Sequence, residues 1–271
     1  MESTRQLLRR LEAALDLYVQ TQWQAQPRQL GVNWRQAHHD RPAYISAIAL
    51  SLSTTQTPAM QIAAQMATWL TQVVHTHAQF ILRVIPPGLL RVELTDAMIA
   101  ARLQNLTLYP PNRVSVHAND TLSLFEVQYT HARCCSLLNL ATRNRLIALE
   151  KPTDANSAAI FCVCANNAIA FVDAQGQLLC SHAAEQALIV QLFAVWDRFD
   201  SAIASSTFNW EKSAVRLSQA WQKFYADCRV WGEVQKNPQL VQARLGLTLV
   251  TQMSLRLLLN DKLGIFAPQE L

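Results

Sequence analysis

The sequence predicts a mainly α protein, with a small α+β domain over residues 1–108 followed by an α-helical bundle over residues 116–271. Three observations predict it. Most of the chain repeats apolar residues every three or four positions, the period of an amphipathic helix. One stretch, Phe80 to Leu94, instead carries Val and Ile on either side of Pro86-Pro87-Gly88, which reads as two short strands and their turn. Tyr109-Pro110-Pro111-Asn112 breaks both patterns, because neither proline continues a helix or donates to a sheet, and the domain boundary falls there.

In the first domain Leu7, Leu8, Leu11, Leu15 and Tyr18 recur at helical spacing over Thr4 to Gln22, with Ser3 or Thr4 in position to cap the helix. Pro27 and Gly31 open a polar loop, Ala43 to Leu52 is apolar, and a second helix from Thr57 puts Ile62, Met66, Leu70 and Val73 or Val74 on one side. In the second domain the helical period covers Ser123–Thr142, Ala183–Phe199, Asn209–Val230 and Asn237–Asn260, the pattern of a bundle. Between the first two of these, Ile160-Phe161-Cys162-Val163-Cys164 and Ile169-Ala170-Phe171-Val172 fit either strands or a buried helix.

Composition narrows the function classes. With 51% hydrophobic and 15% charged residues, the chain of 271 residues lies far from the disordered class. The net charge of +4 is uneven: residues 1–115 hold ten Arg, no Lys and six acids, and the remainder is balanced. That permits a nucleic-acid partner without arguing for one. The six cysteines include no C-x-x-C pair, and Met1-Glu2-Ser3-Thr4 opens a charged helix rather than a signal peptide, so reduced thiols and a cytoplasmic location are expected. The uncharged runs Pro42–Leu82 and Ala155–Val172 are interrupted by Gln, Thr and Asn, so no membrane segment is expected. The first run instead implies a contact with a protein partner, or self-association, through the helix carrying Met60, Met66 and Trp69.

Four blocks in the second half carry a resemblance. Phe125-Glu126-Val127-Gln128-Tyr129-Thr130-His131-Ala132-Arg133-Cys134-Cys135-Ser136 resembles the V-Q-Y-x-H-A-R segment that opens the DALR anticodon-binding domain of arginyl-tRNA synthetases. The likeness continues through Phe224-Tyr225-Ala226-Asp227-Cys228-Arg229-Val230 and Ala243-Arg244-Leu245, and ends in the Ala267-Pro268 tail. More weakly, Thr57–Ala64 and Pro87–Thr95 are similar to the N-terminal domain of the same enzymes, with Leu89 and Arg91 where that family has the Phe and Asn that read the tRNA D-loop.

Where a synthetase inserts its catalytic core, this chain has only the proline-rich join. None of the six glycines (Gly31, Gly88, Gly176, Gly232, Gly246, Gly264) is followed by His, as a His-x-Gly-His signature requires, and Lys212-Ser213 stands alone without the rest of a Lys-x-Ser-Lys-Ser loop. No Gly-rich phosphate loop is present. The reading is therefore not an enzyme, with no cofactor.

On the Ser123–Thr142 helix, Leu124, Val127, Cys134, Leu138 and Ala141 form an apolar row that includes His131, which reads as a core histidine. Tyr129 and Arg133 lie one turn apart on the opposite side, where an aromatic plane beside a guanidinium can stack an unpaired base and hold its edge or phosphate. The resemblance implies that both help to hold an anticodon loop. Tyr225 and Arg229 repeat the one-turn spacing beside the core residues Phe224 and Cys228, and the resemblance adds the carboxylate of Leu271. The expected RNA-binding residues are thus Tyr129, Arg133, Tyr225, Arg229 and Leu271, and the expected partner is tRNA, arginine tRNA first, for a noncatalytic adaptor or regulatory subunit. The rival reading is a scaffold subunit that kept the fold and lost the RNA. No metal is expected: His75 and His77 point to different faces of a helix, and Cys162 and Cys164 lie in an apolar run that disfavours thiolate. His38-His39-Asp40 reads as a solvated loop.

Overall fold

The computed structural model describes residues 4–23, 34–37, 41–74, 79–108, 124–150, 162–163, 168–200, 208–234 and 236–270. The chain divides into two compact units, residues 1–99 and 100–271. The sequence-expected join at residues 109–112 lies outside the described residues.

The first unit runs α1 (Thr4–Trp23), β1 (Arg35–Gln36), β2 (Ala43–Ser46), α2 (Ile48–Leu52), α3 (Ala59–Val73), β3 (Phe80–Ile85) and β4 (Leu89–Leu94), and the division falls within α4 (Asp96–Leu108). Its sheet is antiparallel in the order β1-β2-β4-β3. Along β4 the two-residue period buries Leu90, Val92 and Leu94 and leaves Leu89, Arg91 and Glu93 half-buried. Arg83 faces Arg91 across β3 and β4, and Glu93 pairs with both guanidinium groups, at 3.6 and 3.0 Å, which offsets the like-charge juxtaposition. The β3–β4 turn holds Gly88 at φ 136, so close to α3 that a Cβ there would lie 2.7 Å from the Ala59 carbonyl carbon.

Leu7, Leu11 and Leu15 of α1 and Ile62, Met66 and Leu70 of α3 are fully buried with Leu90 and Val92. Of the three residues expected at an interface, Met60, Met66 and Trp69, two are taken up within the unit. Met66 belongs to the core, and the Trp69 indole N–H donates to the Ala14 carbonyl at 3.2 Å beside the Tyr18 ring. Only Met60 of the three is exposed. Met66 shares with Ile62 and Leu70 the one face of α3 that the unit buries, and Trp69 lies at the edge of that face toward α1. Four elements were not anticipated: the two-residue β1, β2 and α2 within the apolar stretch from Ala43 to Leu52, and α4, whose Met98, Ile99, Leu103 and Leu106 are buried at helical spacing.

The second unit contains α5 (Phe125–Arg143), the antiparallel pair β5 (Leu149–Glu150) and β6 (Cys162–Val163), α6 (Ala183–Phe199), α7 (Trp210–Asp227), α8 (Pro238–Leu257) and a π turn over Leu258–Leu263, followed by an extended tail. Each of the last three α-helices begins on a side-chain cap. His182 accepts from the Ala184 N–H, Asn209 from Lys212, and Asn237 from Leu240 with Pro238 in the first turn. α8 is buried at every residue from Ala243 to Leu255, so it is the central helix against which α5, α6 and α7 pack. Gly246 permits this locally: a Cβ there would meet Phe171 Cζ at 2.6 Å. In the stretch left open by the sequence, the described residues form β5, β6 and the Val172–Leu178 bridge rather than a helix.

A buried ion pair fixes the end of α7. Arg244 donates through Nε to Glu185 Oε1 and through Nη1 to the Arg229 carbonyl, both at 2.6 Å, while Glu185 Oε2 accepts from the His182 N–H at 2.8 Å. With Cys228 drawn inward in an extended conformation, the helix stops at Asp227 rather than at the expected Val230. Among the described residues no helix is long and apolar enough to cross a membrane, and no group of three or more His, Cys, Asp or Glu side chains is placed to hold a metal ion. His75, His77, Cys164 and residues 38–40 lie outside the described residues.

Candidate nucleic-acid interface

At about 100° per residue, Phe125, Tyr129 and Arg133 occupy an arc of roughly 80° on α5. The other side of the helix, with Val127, Thr130, His131, Cys134, Leu138 and Ala141, is buried. The outer arc is walled on both edges. On one edge α7 is fastened by Thr130 and Ser218, whose hydroxyls lie 2.6 Å apart, by the Gln222 amide donating to Thr130 at 3.0 Å, and by Arg133 Nη2 donating to the Tyr225 hydroxyl at 3.2 Å. On the other edge the tail is fastened by the Gln128 amide donating to the Phe266 carbonyl at 2.9 Å and by His131 Nδ1 donating to the Pro268 carbonyl at 2.7 Å. Asn260 of the π turn accepts from the Ala267 N–H at 3.1 Å and ties the tail back to α8.

His131 is a core residue, as its row implied. With Nδ1–H committed to Pro268, Nε2 is the acceptor for the Gln252 amide at 2.9 Å. Burial, with the nearby Arg256 charge, outweighs the Pro268 bond and pulls its pKa down to about 4, so the ring is neutral at physiological pH. Its neighbours Cys134 and Cys135 are fully buried, and burial pushes the Cys135 thiol up to about 12 and the Cys134 thiol well above its usual value. Neither is a nucleophile in this setting.

Tyr129 is 50% exposed and stacks on Phe125, which is 64% exposed, with ring centroids 6.3 Å apart. Arg133 is exposed beside them. Tyr225 is half-buried; one face lies parallel to the buried Trp221 ring at 5.2 Å, and the Arg133 guanidinium sits 5.6 Å from its centroid. The structure therefore brings Tyr129, Arg133 and Tyr225 together. Arg229 is exposed but does not lie a helical turn beyond Tyr225 as expected, because α7 has ended and its stem rests against Gly232, 3.9 Å from where a Cβ would stand. Leu271 lies outside the described residues.

Four residues that shape this surface were missed in the sequence: Phe125, Gln128, Trp221 and Phe266. Phe125 and Trp221 each stand four residues before a candidate tyrosine, a spacing that puts their rings in reach of it. Nothing local signals Gln128 or Phe266, whose bond joins positions far apart in the chain.

The helical fold of the second unit is of the anticodon-binding type. Residues 127–271, more than half of the chain, match the DALR anticodon binding domain, and the chain belongs to that family. It is 28% identical over 149 residues to an arginine–tRNA ligase of Synechococcus sp. (strain JA-3-3Ab), a match covering 54% of this chain and 22% of that enzyme. It is 29% identical over 135 residues to the arginine–tRNA ligase of Gloeobacter violaceus (strain ATCC 29082 / PCC 7421), covering 49% and 20%. The chain thus spans about a fifth of the length of these relatives. No solved structure matches.

Proposed function

We propose that the chain binds tRNA, arginine tRNA in preference to others, through the outer arc of α5, and that it acts in the cytoplasm without catalysis as an adaptor or regulatory subunit. The observation that carries this reading is Tyr129, half-exposed beside an exposed Arg133 that also bonds Tyr225, within a domain of the anticodon-binding family. An exposed aromatic face takes an unpaired base, and the guanidinium, with one of its five donors on Tyr225, offers others to a base edge or phosphate. Arg229 and Leu271 belong to the proposed site by their match to the family's motifs.

Filter binding of the purified chain with total tRNA, followed by sequencing of the retained RNA, tests this. Enrichment of arginine tRNA, loss of about 1–3 kcal/mol of binding in Tyr129→Ala, and no arginine-dependent pyrophosphate exchange are expected. Retention of no tRNA, or exchange above the buffer blank, sinks the reading. A second reading, a protein contact or self-association through the first unit, is favoured by Met60 and Val73, which stand in solvent at opposite ends of α3. Sedimentation as a monomer at high concentration counts against self-association.

A further inference from the structure

Resting on the tRNA-binding reading, we infer that the site is longer than Tyr129, Arg133 and Tyr225: Phe125 and Phe266 supply two further stacking faces, so that the outer arc of α5 holds a short run of unpaired nucleotides rather than a single base. Among the described residues, the large exposed hydrophobics include three aromatic rings, Phe125 at 64%, Tyr129 at 50% and Phe266 at 56%. Two of them stand on the outer arc of α5, and the third stands on the tail bonded to that helix. Phe125 and Tyr129 stack on each other, and the Phe266 backbone is held by Gln128, the residue beside Tyr129.

The position of Phe266 is built by the fold. Its carbonyl is bonded to Gln128, the next N–H is bonded to Asn260, and two residues on the Pro268 carbonyl is bonded to the buried His131. A segment fastened at three successive points has its backbone fixed, yet the ring between those fastenings stays in solvent. An unsubstituted phenyl ring gains nothing from water. Its remaining chemistry is a π face, and single-stranded nucleic acid binds aromatic faces beside cations in this way. The occupant is further defined by the walls. Tyr225 and Arg133 close one edge of the arc and the tail closes the other, leaving a strip along the α5 axis. A strand of splayed bases fits a strip bearing an aromatic face at successive positions with a guanidinium at one end. Phe125 precedes the family-matched span of residues 127–271 and so is assigned no role by it.

The test uses the full chain with an arginine tRNA transcript and with its isolated anticodon stem–loop, intact or carrying a single abasic nucleotide at each loop position in turn. Phe125→Ala and Phe266→Ala are each expected to weaken binding about five-fold or more, with affinity restored in Phe125→Tyr and Phe266→Tyr. Each Ala variant should lose nothing further against the one abasic loop that already lacks the base its ring stacks on. Binding unchanged in both Ala variants while Tyr129→Ala weakens it overturns this inference and leaves the tRNA reading standing. A loss of the same size against every abasic loop also overturns it, since the rings then act only on the protein's own structure. If the unmodified chain self-associates and these variants abolish that, the surface belongs to a second copy. Failure of the unmodified chain to bind either RNA removes both readings.

Discussion

The interiors of the two units are built differently. The first is almost wholly apolar: α1, α3 and β4 meet through Leu, Ile, Val and Met, and its charges stay near the surface, as in the Arg41–Asp96 and Arg91–Glu93 pairs. The second buries Thr130, His131, Glu185, Ser218, Arg244, Gln252 and Ser254 together with its aliphatic core. Apolar packing tolerates small shifts at little cost, whereas a buried hydrogen bond enforces one geometry because its loss leaves an unpaired polar group. The difference teaches where accuracy is required. The buried polar bonds of the second unit hold the end of α7 and the tail, which are the two walls of the α5 strip.

The contrast breaks first at the buried ion pair. Arg244→Ala leaves Glu185 charged and unpaired inside the protein and should cost about 3–5 kcal/mol of unfolding free energy in denaturant titrations. Arg41→Ala, which removes a surface pair in the first unit, should cost at most about 1 kcal/mol in the same assay. Equal losses would show that the two interiors do not differ in this respect.

The next largest effect depends on pH. The native His131 pKa of about 4 lies below the unfolded value of 6.5, so between these values the unfolded chain binds more protons and acid favours unfolding. The contribution of neutral His131 is fully present above the unfolded value and is lost as pH falls toward the native one, a change of about 3 kcal/mol at 1.36 kcal/mol per unit. His131→Gln should flatten this part of the stability profile relative to the unmodified chain. An unchanged slope would place its proton elsewhere.

Smaller still, Ser254→Ala removes the acceptor of the buried Trp196 indole N–H, now bonded at 2.9 Å. It should cost about 1–3 kcal/mol. At the bottom of the scale, Tyr129→Ala should change stability by no more than about 0.5 kcal/mol, since half of that side chain is already in solvent. A large drop in melting temperature would mean that Tyr129 supports the fold, and its effect on RNA binding would then lose its meaning.

What was legible in the sequence follows the same division. Helices whose apolar spacing faces a single core were readable, and Ala183–Phe199 is observed with the expected bounds. The outward placement of Tyr129 and Arg133 and the inward placement of His131 were readable because one helical period decides both. Misreadings arose where an uncharged run outweighed the period or the cause is remote. The uncharged run over α3 pointed to an interface, although Met66 stands in the buried row with Ile62 and Leu70 and Trp69 is bonded to α1. The stop of α7 at Asp227 comes from Arg244, fifteen residues beyond the carbonyl it binds. The tail's place against α5 rests on bonds spanning more than a hundred residues, for which a local pattern has no signature.

Cys134 and Cys135 lie on the buried side of the helix that bears Arg133, with no exposed surface and with thiols held protonated by burial. A disulfide reagent added to the native chain reaches them only when that helix opens, so their labelling is a clock for opening events. A ligand seated on the outer arc binds the closed form alone, and at a hundred times its dissociation constant it slows that clock about a hundred-fold. Two side chains that never touch such a ligand would thereby report its occupancy, from the far side of one helix.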